Sequence, residues 1–449
     1  MKAFRYALVM VLWKAAAFGY AQSFDVSPMP QQETYEFFES GFKVIYRYVP
    51  NEIIVVQVGF RGGVARVTKE FEGMEKLALA TAVESGTKNM PRDAFHDDID
   101  AHGIRIGSSA AYDYSTFQLQ CLKDYADRGL HRFAELIRSP YFDTTSFEQV
   151  RHQMISGVQQ ALSTPDAFIR RTSIQETFKG YEYEKAPEGS PESLEKITYD
   201  QARRFYFEQL LDKSNMVIVV VGDITKLEVR EWIRTALKDI PSRNISIRPH
   251  LPEAIAYNDS RLKEYSREEM ATYYYRGITG APPRGSEWEI PMMVGFNILD
   301  DRFFVEIRTK RNLSYAPAAF MARAMKVPYG ILYVSTTDPS AAARVMVDEL
   351  KKIKKEGFTA KELRDKKEVF LTYHYMGEES NASLAGSLMR SEMTGGGWRE
   401  AVLFNQKVQS VTLEKMNEAF RKYIRGIRWY YVGDPKAIKD SMVFEEVIE

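Results

Sequence analysis

The pattern of apolar and polar positions repeats itself along the chain. A segment that starts at Thr198 has aromatic residues along a helical stretch and leads into the apolar strand MVIVVVGD. A segment that starts at Thr412 has the same order and leads into WYYVGD. The two threonines lie 214 residues apart, and Gly222 and Gly433, which close the strands, lie 211 residues apart. Several landmarks at nearly one offset indicate an internal duplication.

Helix-start signals repeat at the same offset. Ser146 followed by Gln149, and Thr359 followed by Glu362, have the spacing of a capping box. In that arrangement a hydroxyl and a side chain three residues later satisfy the first amides of a helix. We therefore predict that a helix starts at Ser146 in the first half and at Thr359, 213 residues later, in the second.

Strand patterns fall in the same order in both halves. The segment FKVIYRYVPNEIIVVQVGF predicts two strands around a turn at Pro50 and Asn51, and EEMATYYYRG is the matching strand of the second half. Alternating apolar residues in YGILYVSTT predict a further strand. Strands mixed with helices predict an α+β fold of two homologous domains. Each domain is then a mostly antiparallel sheet with helices packed on one face.

The predicted domains are residues 22–240 and residues 263–449. Between them, residues 241–262 contain Pro241, Pro249 and Pro252 together with several polar residues, a composition typical of a linker.

Residues 1–21 have the pattern of a secretory signal peptide. Lys2 and Arg5 precede a short apolar run, and the small residues Gly19 and Ala21 mark a cleavage site. The run is too short to span a bilayer, and no later segment is apolar enough. The sequence therefore predicts an exported protein, periplasmic or secreted, with no stable membrane span in the mature chain.

Composition and charge exclude other classes of function. Lysine plus arginine and aspartate plus glutamate both number 61, so the formal net charge is zero and offers no electrostatic footprint for nucleic acid. Cys121 is the sole cysteine, so no intramolecular disulfide forms. It alternates with Phe117 and Leu119, which predicts a thiol on the buried face of a strand rather than a nucleophile.

Residues 71–89, FEGMEKLALATAVESGTKN, predict an amphipathic helix. Met74, Leu77, Ala78 and Thr81 share one face, Gly73 precedes the helix, and ESGTKN ends it. The duplicated halves, this helix and the second-half segment EIRTKRNLSYAP resemble the insulinase/pitrilysin zinc-peptidase family, which includes the mitochondrial processing peptidase. The resemblance covers roughly residues 35–435.

In active members of that family the helix carries His-x-x-Glu-His, whose imidazoles bind zinc while the glutamate acts as general base. The matching positions here are Lys76, Leu79 and Ala80, and no carboxylate stands near residues 156–158, where the resemblance places a further ligand. We therefore predict no metal in this chain. His96 and Asp100 share the spacing of a helix face, but Phe95 and Ile99 predict an ordinary amphipathic helix there.

The resemblance implies roles for two more segments. Arg308 and Tyr315 match an arginine and a tyrosine that reach across the family's cleft and stabilise the oxyanion formed during peptide cleavage. Arg311 competes for the role of Arg308. Peptides in the family add as an extra strand to a sheet edge, here the segment IGSSAAYDY with Ser108, Ser109 and Ala110, although an ordinary edge strand fits that segment equally well.

These features lead to three hypotheses. The first is a non-catalytic subunit of an exported heteromeric zinc peptidase, which binds peptide or unfolded polypeptide and assists a homologous partner that carries the zinc. The alternative is a catalytically inert binding or scaffold protein with the peptidase fold. The third, a self-sufficient enzyme, requires a metal site that the sequence does not show.

Overall fold

The structure, a computed structural model, describes residues 33–377 and 379–449. The predicted signal peptide lies outside the described residues. Each half of the described chain forms one main sheet with helices, which confirms the α+β fold and the duplication.

The first half contains a six-stranded sheet with the order β1-β2-β8-β3-β7-β6. Its strands, with the two-residue pair β4 and β5, are β1 Thr34–Glu39, β2 Phe42–Tyr48, β3 Ile53–Arg61, β4 Gly86–Thr87, β5 Met90–Pro91, β6 Arg105–Ala110, β7 Tyr114–Leu122 and β8 Met216–Gly222. Its helices are α1 Met74–Glu84, α2 Arg92–Ala101, α3 Ala126–Arg138, α4 Thr144–Ser163, α5 Pro165–Thr177, α6 Pro191–Lys196, α7 Tyr199–Arg204 and α8 Lys226–Trp232.

The second half repeats this plan with the order β11-β12-β10-β13-β9. Its strands are β9 Arg261–Ser266, β10 Tyr273–Thr279, β11 Ala318–Ala322, β12 Tyr329–Thr336 and β13 Ile427–Gly433. Its helices are α9 Glu289–Phe303, α10 Pro339–Glu356, α11 Ala360–Gly377, α12 Asn381–Thr394, α13 Arg399–Val402, α14 Phe404–Gln409 and α15 Leu413–Tyr423. Residues 241–260, which join the halves, contain no helix or strand, and β9 begins inside the predicted linker.

The expected direct pairing of β2 with β3 is wrong. β8 lies between them, parallel to β2 and antiparallel to β3. Every residue of β8 is buried, and its valines face apolar groups on both sides of the sheet. A strand that is apolar on both faces is most stable in the middle of a sheet, so β8 separates the two strands that the turn joins. In the second half, β13 takes the same place between β9 and β10.

Three of the four predicted helix starts are confirmed. Thr198 and Gln201 form a capping box, Thr359 and Glu362 form another, and Thr412 accepts from the Lys415 amide. The start at Ser146 is wrong. Asp143 caps α4 instead, because its carboxylate accepts both the amide and the hydroxyl of Ser146, at 2.9 and 2.7 Å.

The two halves exchange helices. The face of the first sheet opposite α1 is covered by α12 of the second half, where Leu384, Leu388 and Met389 pack on the valines of β3 and β8. A Cβ at Gly59 would lie 2.5 Å from Met389 Sδ, so a larger residue there would displace the methionine side chains of α12. In return, α5 of the first half packs on β10 and β13. The sequence predicted helices on one face only; the second face is covered by the other half.

Candidate functional site

Helix α1 is held tightly at its start. Gly73, which precedes it, has φ +91°, and a Cβ there would lie 2.8 Å from the Cα of Gly189. Only glycine combines that backbone conformation with that approach. The predicted buried face is confirmed, since Met74, Leu77, Ala78 and Thr81 are all buried.

Two of the α1 positions that match the zinc motif of the family, Lys76 and Ala80, border a cavity of about 790 Å³, which we call the α1 cavity. It is bounded by α1, β6, α4 and α5. Lys76 and Ala80 face it from α1, Gly157 and Val158 from α4, and Ser108 from β6. The structure thus brings together most of the positions that the sequence singled out. Leu79 is the exception, because it is fully buried in the core of the first half.

The side chains around the α1 cavity do not fit a zinc ion. Lys76 contributes a cation, and Ala80, Gly157 and Val158 contribute no ligand atom. The Glu84 carboxylate borders the cavity but already accepts from Arg92 and Gln149. Within residues 33–377 and 379–449, no group of three or more histidine, cysteine, aspartate or glutamate side chains could hold a metal.

A buried carboxylate stands beside the degenerate positions. Glu75 lies on the sheet side of α1, and its Oε2 is 3.9 Å from Nε of Arg66. Burial raises the pKa of Glu75 to about 7, against the opposing effect of Arg66. Arg66 itself donates to the backbone carbonyls of Arg61 and Gln209, both at 2.7 Å. The sequence analysis missed this pair, because Glu75 is not one of the apolar residues that define the predicted buried face of the helix.

Arg308 and Tyr315 lie together outside the α1 cavity. Arg308 belongs to the helical turn Phe304–Thr309 that continues α9, and its guanidinium carbon lies 4.3 Å from the centre of the Tyr315 ring and 4.8 Å from that of Phe304. Tyr315 is 79 % exposed. Arg311 is instead bound to Glu306 at 2.6 Å, so Arg308 is the arginine that contacts the tyrosine.

The other predicted residues have simpler surroundings. β6 is an edge strand, and in it Ser109 shares a 2.8 Å hydrogen bond with Thr116, while Ala110 lies at its end. His96 and Asp100 belong to α2, whose buried residues are Phe95 and Ile99, as predicted. Cys121 is buried, as predicted, and burial raises the pKa of its thiol to about 11.

Comparison with known proteins assigns the family. Residues 62–189 match the family described as "Insulinase (Peptidase family M16)", and residues 196–370 match "Peptidase M16 inactive domain". The chain belongs to peptidase family M16. Together the two matches cover most of the described chain, and they agree with the resemblance seen in the sequence.

Several M16 relatives are similar over most of the chain. "Non-peptidase homolog YmxG" of Helicobacter pylori is 23 % identical over 398 residues, 85 % of this chain and 89 % of the relative. A solved M16 inactive domain from Pseudomonas fluorescens has a TM-score of 0.79 at 19 % identity, covering 90 % of this chain and 98 % of that one. The first half of the periplasmic protease PqqL from Escherichia coli has a TM-score of 0.70 at 17 % identity, covering 91 % and 94 %.

The M16 fold is therefore present without the zinc ligands of a peptidase. One of these relatives is named a non-peptidase homologue and another a protease. A membrane-crossing helix is not found in the part of the chain that the structure describes, where none is both long and apolar enough.

Proposed function

We propose that this chain is a non-catalytic subunit of a heteromeric zinc peptidase and assists peptide cleavage by a homologous partner. The observation that carries the proposal is the contrast between two segments. Lys76 and Ala80, which border the α1 cavity at the positions of the two histidines, offer no zinc ligand, whereas Arg308 and Tyr315 are stacked and Tyr315 is exposed. An exposed pair of hydrogen-bond donors is able to bind a group that arrives from outside the chain.

Arg308 and Tyr315 would act on the peptide bond held in the partner. A guanidinium and a phenol both donate hydrogen bonds, and donors aimed at the oxygen of a peptide carbonyl stabilise the negative charge that develops during attack. The stack holds the guanidinium in place, so less conformational freedom is lost when the complex forms. The partner supplies the zinc, because the side chains of this α1 cannot.

Peptide or unfolded polypeptide is the proposed ligand, and β6 is its proposed docking edge. Ser108 borders the α1 cavity from this edge strand, and Ser109 and Ala110 follow it with small side chains. Small residues on an unpaired edge leave room for an added strand. We also propose export to the periplasm or the medium, which cell fractionation and the N-terminal sequence of the mature protein would test.

The decisive experiment measures cleavage by the reconstituted pair. The chain is co-purified with a homologous M16 protein that carries His-x-x-Glu-His, and kcat/KM is measured on an unfolded polypeptide. Arg308→Ala combined with Tyr315→Phe is expected to lower kcat/KM by about 100-fold, the effect of removing oxyanion donors.

The matched control combines Arg364→Ala with Tyr141→Phe. Arg364, on α11, is exposed, and Tyr141, in the first half, is 56 % exposed. This control should leave kcat/KM unchanged. Equal activity of both double variants would refute the role of Arg308 and Tyr315. If no zinc-bearing partner co-purifies and the chain still forms a stable complex, the inert binding or scaffold protein replaces the proposal.

A further inference from the structure

A second cavity, of about 830 Å³, lies in the second half and is the counterpart of the α1 cavity. It is bordered by β11, α11 and the start of α9, which occupy the places that β6, α4 and α1 occupy in the first half. We call it the arginine cavity. Helix α5 stands between the two cavities, because Arg170 and Ile174 border both of them.

Arginine dominates the charge of this cavity. Two carboxylates, Glu289 and Glu400, border it together with six arginines, which are Arg47, Arg170, Arg276, Arg284, Arg323 and Arg390. Both carboxylates are already engaged. Glu289 binds Arg323 at 2.7 Å and Arg284 at 3.5 Å, and Glu400 binds Lys407 at 2.5 Å. Among the described residues that border the cavity, arginines therefore outnumber carboxylates.

Arg276 is the deepest of these cations. It sits in the centre of β10, is 7 % exposed, and its Nε has no hydrogen-bond partner among the described residues. Its other contact is with the hydroxyl of Tyr329. Burial lowers the pKa of Arg276 and of Arg284. Asp166 acts on Arg276 from nearby, but a buried N–H without an acceptor is costly, so a ligand that accepts a hydrogen bond from the Arg276 Nε would stabilise the fold.

Two further arginines have unoccupied donors at the cavity wall. Within the described parts of the chain, the side chains of Arg170 on α5 and Arg390 on α12 make no hydrogen bond or ion pair. Both are exposed, and they border the cavity from helices of different halves. Planar guanidinium groups bind carboxylates and phosphates with paired hydrogen bonds.

Apolar side chains also border the cavity, and they favour one class of anionic ligand over another. Ile174, Phe320, Met321, Leu388 and Phe404 border it. Phe320 is 42 % exposed on the edge strand β11. Inorganic phosphate would leave these surfaces in water, whereas a peptide with acidic and apolar side chains would cover them.

We propose that the arginine cavity binds an acidic segment of polypeptide whose carboxylates meet Arg170, Arg276 and Arg390 while its apolar side chains cover Phe320 and Phe404. The proposal deepens the proposed function, on which it rests for the idea of a peptide ligand, by naming the class of peptide. Binding itself is a property of this chain alone and needs no zinc-bearing partner.

The test measures peptide binding to the full purified chain by fluorescence anisotropy. The probes are labelled short peptides of glutamate and leucine, with the same sequence carrying glutamine in place of glutamate as the neutral counterpart. The acidic peptide should bind at least about tenfold more tightly, because a hydrogen bond to a charged group contributes about a factor of ten. Its affinity should fall as sodium chloride rises from about 0.05 to about 0.5 M.

Single variants locate the site. Arg170→Gln and Arg390→Gln should each weaken the acidic peptide about tenfold and leave the neutral peptide unchanged. Arg364→Gln is the matched control, an exposed arginine on α11 that does not border the cavity, and it should change nothing. Thermal unfolding of every variant verifies that the fold is retained.

Three outcomes would overturn the inference. Equal affinity for the acidic and neutral peptides removes the role of charge. Unchanged binding in both arginine variants places the ligand elsewhere. Equal affinity for a glutamate peptide without leucine, together with full displacement by inorganic phosphate, reduces the site to a simple anion site. None of these results touches cleavage by the reconstituted pair, so failure here and failure of the proposed function are distinguishable.

Discussion

The guanidinium carbon of Arg308 lies 4.3 Å from the centre of the Tyr315 ring, on a part of the second half where that ring is 79 % exposed. Seven residues separate the two in sequence, and the helical turn Phe304–Thr309 followed by an irregular loop closes that distance. The neighbouring cations, Lys310 and Arg311, are both held by Glu306 at 2.6 Å. The Arg308 guanidinium therefore stacks on the rings of Phe304 and Tyr315 instead of pairing with Glu306, in a position that a second protein can reach.

This stack should contribute little to the stability of the chain. A cation over an exposed ring is worth about 0.5–1 kcal/mol, so Arg308→Ala should lower the unfolding free energy by no more than about 1 kcal/mol. Urea unfolding followed by circular dichroism measures the change. A loss of several kcal/mol would mean that Arg308 is structural and would weaken any functional interpretation of its replacement.

Much of the fold could be predicted because its signals are local. Thr198, Thr359 and Thr412 mark helix starts through hydrogen bonds to amides three residues away, and the duplication follows from their spacing. The same local pattern predicted a wrong helix start at Ser146. Asp143 lies three positions earlier and is an equally good cap. Only the geometry of the loop before α4 decides between them.

Longer-range features were not predictable from the pattern. The apolar residues of α12 predict a buried helix face, but nothing in their spacing says that the sheet they cover belongs to the other half. Likewise, the apolar residues of β8 predict a buried strand. Its position between β2 and β3 could not be predicted, because it depends on contacts across the whole first half.

Of the candidate site, too, one part could be predicted from the sequence and another part could not. The loss of zinc ligands is visible directly in the identities of Lys76, Leu79 and Ala80. The arginine cavity was missed because its arginines come from segments far apart in sequence. One signal was available: Arg276 follows three tyrosines in a strand that is otherwise apolar or aromatic, and a cation in a central strand requires an explanation.

Replacing two cavity-facing residues of α1 should create a metal site. Lys76 and Ala80 lie four residues apart on the side of α1 that borders the α1 cavity, so Lys76→His with Ala80→His places two imidazoles on successive turns. Calorimetric titration with zinc should show one binding event in this variant. The control is Lys76→Ala, which removes the same cation without adding a ligand. Heat of binding equal to that of the control would show that the two positions do not converge.

The buried carboxylate of Glu75 should make stability depend on pH. Its pKa is about 7 in the folded chain, above the ordinary value of 4.5, so the folded state keeps a proton that the unfolded state releases. The stability this proton provides is fully present below pH 4.5 and is lost as the pH rises to 7. The loss is of the order of 3 kcal/mol, from about 1.4 kcal/mol for each pH unit.

Glu75→Gln should remove this dependence. Relative to the natural chain, the variant should gain stability between pH 4.5 and pH 8, because glutamine has no proton to lose and Arg66 keeps its two carbonyl acceptors. Glu208→Gln, a change at an exposed carboxylate, controls for the loss of one charge. Urea unfolding at both pH values measures the difference, and parallel stability curves for the natural chain and Glu75→Gln would show that burial does not perturb this group.

The exchange of α12 and α5 should make the two halves unfold together. Leu388 belongs to the second half in sequence but is fully buried against the first sheet, so Leu388→Ala should cost about 2–5 kcal/mol through lost burial and a cavity. Leu403→Ala, at a residue 40 % exposed, should cost less than about 1 kcal/mol. Hydrogen exchange gives the sharper readout, because the amides of β8 report on the first half alone. If α12 closes the first core, Leu388→Ala must speed exchange in β8, which lies 166 to 172 positions earlier in the sequence and belongs to the first half's sheet. Faster exchange confined to α12 and the second sheet would instead mean that each half is stable without the other's helix.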